Sequence, residues 1–137
     1  MSFILDTNIL IELEKGNKKV VSYIENVRKS NTDEFYITFF TFCEFYKGII
    51  KKNEKNKGKI LNRLEKYRLL QTSKEAGISA CHIMLETQKK GKSLSQIDVM
   101  IAGIAKANRL PLITMDKAFK DIPGLKGYFL VDPNQNT

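Results

Sequence analysis

The feature that most constrains this chain is its opening run Phe3-Ile4-Leu5, three apolar residues closed at once by Asp6, Thr7 and Asn8. A strand with one wet face alternates in polarity, whereas a short unbroken apolar run marks a strand buried on both faces. Such a strand needs helices above and below it, and the rest of the chain supplies them. Phe35–Thr38, Pro111–Thr114 and Tyr128–Val131 read as further strands, and Leu69-Leu70 as the start of a short one. Helical spacing appears over Ile9–Glu14, which Gly16 can end, and over Val20–Arg28. It continues from Thr41, with Phe42, Phe45, Tyr46, Ile49 and Ile50 as an apolar side. Ile60, Leu61, Leu64 and Tyr67 give another helix, followed by Ile78–Gln88 and Ser95–Asn108. Alternating strands and helices imply βαβ units. The expected fold is α/β, a three-layer α/β/α arrangement around a mainly parallel sheet of about four to five strands.

Length and composition narrow the class. At 137 residues the chain is expected to be a single domain over 1–137, large enough to hold a core without staples. Cys43 and Cys81 lie among apolar neighbours without ligand-like spacing, which reads as buried thiols in a reducing compartment. No apolar stretch is long enough to cross a membrane, and the N-terminus has no secretory pattern, so a cytoplasmic location is expected. The formal net charge is +8, and it is concentrated. A window from Lys47 to Lys74, read as a lysine-rich helical hairpin, carries ten basic residues against two acids. Lys47, Lys51, Lys52 and Lys55 lead this window and are the candidate contacts to a polyanion. A solvated lysine-rich helix face is the plainer alternative.

The acids carry the chemistry. Ligands of parallel sheets bind beyond the carboxyl ends of the strands. Asp6 follows the first strand, and Asp116 follows Leu112–Thr114 with one residue between. Glu44 stands three residues after Thr41 and Asp98 three after Ser95, each near the start of a helix that follows a strand. Both pairs also fit a capping box, in which the acid reaches back to the cap residue's N–H. Four carboxylates aimed at one spot would repel, and a divalent cation removes that repulsion. An oxygen-only donor set suits Mg²⁺ or Mn²⁺.

The stretches ILDTNIL, TFCEF and LSQIDVMIAGIAKANRLPLITMDKAF resemble the successive signatures of PIN-domain ribonucleases, especially the VapC toxins of toxin–antitoxin pairs. The resemblance runs from Ser2 to about Val131, and its third stretch is the most specific. It implies that Asp6, Glu44, Asp98 and Asp116 are the catalytic, metal-holding quartet, with Asn8 and Thr114 as polar supports. It also implies Mg²⁺- or Mn²⁺-dependent endonuclease action on RNA, leaving a 5′-phosphate and a 3′-hydroxyl. A homodimer is implied too, as is a small antitoxin that docks near the active site. The lysine-rich segment around Lys51–Lys59 looks longer and more basic than the family's usual hairpin.

Other readings are weaker. An aspartate-nucleophile phosphatase wants a second acid two residues after the first, and position 8 is Asn. A receiver domain opens with adjacent acids after its first strand, and Asp6 has none beside it. His82 is the only histidine, so two-histidine ribonuclease chemistry is excluded. Tyr46 fits core packing better than base stacking, Asp121 reads as a peripheral acid, and no glycine-rich phosphate loop occurs. An RNA-binding or regulatory PIN-like module without cleavage, and a processing nuclease for ribosomal RNA or DNA, remain as alternatives.

Overall fold

The structure is a computed structural model that describes residues 1–30, 34–52, 55–92 and 94–129. Its order is β1 (Phe3–Leu5), α1 (Thr7–Glu14), α2 (Lys18–Lys29), β2 (Phe35–Thr38), α3 (Phe39–Lys51), α4 (Lys57–Leu64) and β3 (Arg68–Leu70). Then come α5 (Lys74–Lys89), α6 (Gln96–Ala107), β4 (Leu112–Thr114), a 3₁₀ turn over Lys117–Asp121 and β5 (Gly127–Phe129). The strands form one five-stranded sheet in the order β3-β2-β1-β4-β5, and every pairing is parallel. The sheet is thus parallel throughout rather than mainly so.

Side chains that alternate along the strands feed two cores on opposite faces. Phe3, Leu5, Phe35, Ile37 and Ile113 pack beneath α1 to α4 with Leu10, Ile24, Phe45 and Leu64. Ile4 and Leu112 pack on the other face against α5 and α6 through Ala80, Ile83, Ile101 and Ile104. Ile4, Leu5, Leu112 and Ile113 are wholly inaccessible to solvent, which is why these four strand positions are apolar. Gly16 adopts φ +73° just past the end of α1, the left-handed position for which glycine is suited.

Several local expectations change. The cap of α3 is Thr38, whose hydroxyl accepts from the Thr41 N–H, so the helix begins at Phe39 and not at Thr41. The Thr41-x-x-Glu44 capping box therefore does not form. Phe45 and Ile49 are buried in the first core, while Ile50 is exposed. Tyr67 lies in the turn after α4 yet stays buried. Both cysteines are exposed, because the inward faces of α3 and α5 are set by Phe45 with Ile49 and by Ala80 with Ile83. Apolar neighbours in sequence are not neighbours on a helix face. The basic window from Lys47 to Lys74 is not a simple helical hairpin, since it includes β3 and reaches the first residue of α5. The last strand starts at Gly127; Leu130 and Val131 lie outside the described residues.

Candidate metal centre

In the order β3-β2-β1-β4-β5, the chain runs outward on one side of β1 and then returns to build the other side. The switch falls between β1 and β4. Loops leaving the carboxyl ends of two such strands diverge, and the crevice between them is where open α/β sheets bind ligands. Asp6 and Asp116 leave from these two strands.

Asp6 caps α1 and is only 4% exposed. Its Oδ1 accepts from the Thr7 N–H at 2.9 Å, and its Oδ2 accepts from Thr114 Oγ1 at 2.7 Å and Asn8 Nδ2 at 3.3 Å. Burial pushes its pKa up to about 6, and the negative charges of Asp98 and Glu44 push the same way. The Thr114 and Thr7 hydrogen bonds oppose that rise. Asp98 sits in the first turn of α6, where its own N–H bonds the Ser95 cap at 3.1 Å. Its carboxyl is also held above the ordinary range, first by burial and then by Asp116 and Glu44. Asp116 caps the 3₁₀ turn through Ala118 N–H at 2.9 Å, and its own N–H bonds Thr114 Oγ1 at 3.0 Å. Glu44 reaches over from α3 and accepts from Thr7 Oγ1 at 2.6 Å.

The four acids are thus brought into mutual electrostatic range, and among the described residues none has a Lys or Arg ion-pair partner. No three of the described carboxylates are already closed into direct ligand geometry. A hard divalent cation can retain several waters and be held by only one or two carboxylates. The donor set consists of hard oxygens, one of them deeply buried, which matches such an ion. Asn8 and Thr114 each donate to Asp6, and Asn8 Oδ1 also accepts from the Met115 N–H at 3.3 Å.

The other candidates are dispersed. Lys47, Lys51, Lys52 and Lys55 are all exposed, at the end of α3 and in the turn beyond it. Of these, Lys52 lines a groove of about 660 Å³ that runs from Glu44 between α1, α3 and α4. Phe45, Ile49 and Ile60 contribute apolar lining, and Lys15, Lys59 and Arg63 share its wall. Arg63 is committed to Glu14, through Nε at 3.1 Å and Nη2 at 2.6 Å. Asp121 pairs with Lys92 instead of joining the quartet, and that lysine holds its carboxyl below the usual range. His82 is exposed on α5. Tyr46 stacks on Phe42, with ring centroids 6.0 Å apart and planes 7° from parallel, against the core. What the motif reading missed is the pair Thr7 and Thr41, which lie inside the signatures but pass for ordinary cap residues. A buried hydroxyl beside a candidate acid is the one signal that could have found them.

A family model for the PIN domain matches residues 3–125. The chain is 30% identical over 132 residues to a ribonuclease VapC of Rickettsia bellii, covering 92% of this chain and 94% of that protein. It is 28% identical over 129 residues to a tRNA(fMet)-specific endonuclease VapC of Salmonella typhimurium, covering 92% and 96%. Among solved structures, the fold is similar to a chain of VapBC2 from Rickettsia felis bound to a promoter DNA fragment. That match has a TM-score of 0.84 at 24% identity and covers 96% of this chain and 100% of the other. A chain of VapBC-1 from nontypeable Haemophilus influenzae matches with a TM-score of 0.79 at 25% identity, over 94% and 98%. With the family model spanning most of its length and a relative of this identity over nearly all of it, the chain belongs to the PIN-domain family, among the VapC ribonucleases.

Proposed function

We propose that this chain, acting over 1–137 as one nuclease domain, is a divalent-metal-dependent endoribonuclease and the toxin of a toxin–antitoxin pair. The observation that carries the reading is the convergence of Asp6, Glu44, Asp98 and Asp116 at the switch between β1 and β4, without a basic ion-pair partner among the described residues.

Asp6, Asp98 and Asp116 would hold Mg²⁺ or Mn²⁺, with Glu44 as a further ligand or as the group that orients the attacking water. The bound ion would supply charge neutralisation at phosphorus and a more acidic water. Thr114 and Asn8 keep the Asp6 carboxylate turned toward the crevice, and ligating carboxylates need such orientation. Burial of Asp6 keeps that side of the crevice dry and strengthens its hold on a cation. Lys47, Lys51, Lys52 and Lys55 would meet the RNA phosphates beside Glu44. The partner would be a small antitoxin, since the similar folds come from VapBC complexes. We also infer a homodimer in the cytoplasm.

The test is cleavage of labelled structured RNAs, tRNAs and ribosomal hairpins included, by wild type and Asp98→Asn in Mg²⁺, Mn²⁺ and EDTA. Metal-dependent cutting that drops at least 100-fold in the variant is expected. Equal cutting by both proteins assigns the activity to a contaminant. Salt-sensitive RNA binding without cutting by either protein favours the binding-module reading.

A further inference from the structure

Glu44 is the exposed member of the quartet, on a side chain with three rotatable bonds, yet it is held. The hold comes through a line of buried threonines on two elements. Thr38 and Thr41 are wholly buried and Thr7 is 9% exposed. Thr38 Oγ1 accepts from the Thr41 N–H at 3.1 Å and lies 3.4 Å from Thr41 Oγ1. Thr41 Oγ1 lies 3.1 Å from Thr7 Oγ1, which lies 2.6 Å from Glu44 Oε1.

Each hydroxyl has one proton, so the directions are determined. An ionised Glu44 only accepts, which commits the Thr7 proton to it. Thr41 must then donate to Thr7, and Thr38 to Thr41, while Thr38 accepts from the backbone at the start of α3. Every donor in the line points toward the carboxylate. Such chains polarise one another and act as a unit. Two strand ends are tied together by the same line, because Thr7 follows β1 and Thr38 ends β2.

We propose that Thr7, backed by Thr41 and Thr38, is a positioning residue that presents Glu44 to the divalent cation. The inference rests on the metal-dependent reading above. It adds a residue that touches neither the ion nor the RNA in that scheme. Thr7 is suited to the task because Asp6 caps α1 through the Thr7 N–H, so one residue pair orients two acids from a single turn.

The experiment measures Mn²⁺ affinity by calorimetry and RNA cleavage for wild type, Thr7→Val, Thr7→Ser, Thr41→Val, Glu44→Gln and the double variant Thr7→Val/Glu44→Gln. Unfolding curves for each ensure that measurements are made well below melting. Thr7→Val is expected to weaken Mn²⁺ binding by roughly 10-fold, the low end for lost outer-sphere partners of metal ligands. Thr7→Ser keeps the hydroxyl and should stay within twofold of wild type. Thr41→Val should fall between them. In the Glu44→Gln background, Thr7→Val should add less than twofold, because its effect acts through Glu44. Full Mn²⁺ affinity in Thr7→Val, or an undiminished loss in the Glu44→Gln background, overturns the proposal. A wild type that neither binds Mn²⁺ nor cuts RNA overturns the underlying function as well, which separates the two failures.

Discussion

Asp6 shows how one residue carries opposite demands. Its carboxylate caps α1 and faces three donors, yet burial dominates and lifts its pKa to about 6 from 3.8. The folded state therefore binds this proton more tightly than the unfolded state. Its stabilising contribution is complete below about pH 4 and is lost as pH rises to 6 and beyond. A shift of that size corresponds to roughly 3 kcal/mol. In EDTA, Asp6→Asn is expected to unfold at higher urea than wild type at pH 8, by about 1–3 kcal/mol, with the gap closing near pH 4. Adding Mn²⁺ should narrow the gap at pH 8 by stabilising wild type alone. A gap independent of pH would show that the ionised carboxylate is not the strained group. Asp98, also raised by burial, should behave in the same direction. The DTN motif made Asp6 legible in the sequence. Its depth came from the neighbouring strands, which no local pattern reports.

Among the elements, α5 and α6 are the tightest pair, and the contact turns on glycine. A Cβ built on Gly103 would come within 2.6 Å of the Ala76 carbonyl oxygen and 2.9 Å of the Ala80 nitrogen. Both are backbone atoms and cannot swing aside. Gly77, in the interior of α5, has nothing within 4 Å of the same point. The two substitutions to alanine should therefore differ in sign. Gly103→Ala forces the helices apart and is expected to cost about 1–3 kcal/mol, more than its gain in helix propensity. Gly77→Ala should stabilise by up to about 1 kcal/mol. Thermal melting of both variants decides the point, and equal shifts would contradict the close packing. Helical spacing over Ser95–Asn108 made α6 legible in the sequence. Its partner helix was not legible, because close approach is a property of two surfaces. The start of α3 was missed for a related reason: Thr38 and Thr41 are equally good caps by type, and the structure gives the cap to Thr38 and turns Thr41 toward Thr7.

For the whole molecule, charge separates into an acidic crevice and a basic flank. Acids at the carboxyl edge of the sheet lie beside a groove that Glu44 lines together with Lys15, Lys52 and Lys59. A polyanion would be drawn to the flank and repelled by the crevice until a cation neutralises it. If Lys47, Lys51, Lys52 and Lys55 each meet one phosphate, replacing all four by Gln should reduce the salt slope of RNA binding by about 3. Filter binding of a non-cleavable RNA between 50 and 300 mM salt, roughly the range in which counterion release dominates, checks this. An unchanged slope returns these lysines to the solvated face. The sequence by itself determined the layer architecture, the four acids and the concentration of basic charge. Apolar runs, helical periods and net charge are local quantities, and the chain states them directly. Only the tertiary structure decided that β1 sits between β2 and β4 and that the acids come within range of one another. It also decided that Arg63 serves Glu14 and that a line of threonines grips Glu44. The contacts Thr7–Thr41, Thr7–Glu44 and Glu14–Arg63 join residues 34, 37 and 49 positions apart, where the chain must already have folded for either partner to find the other.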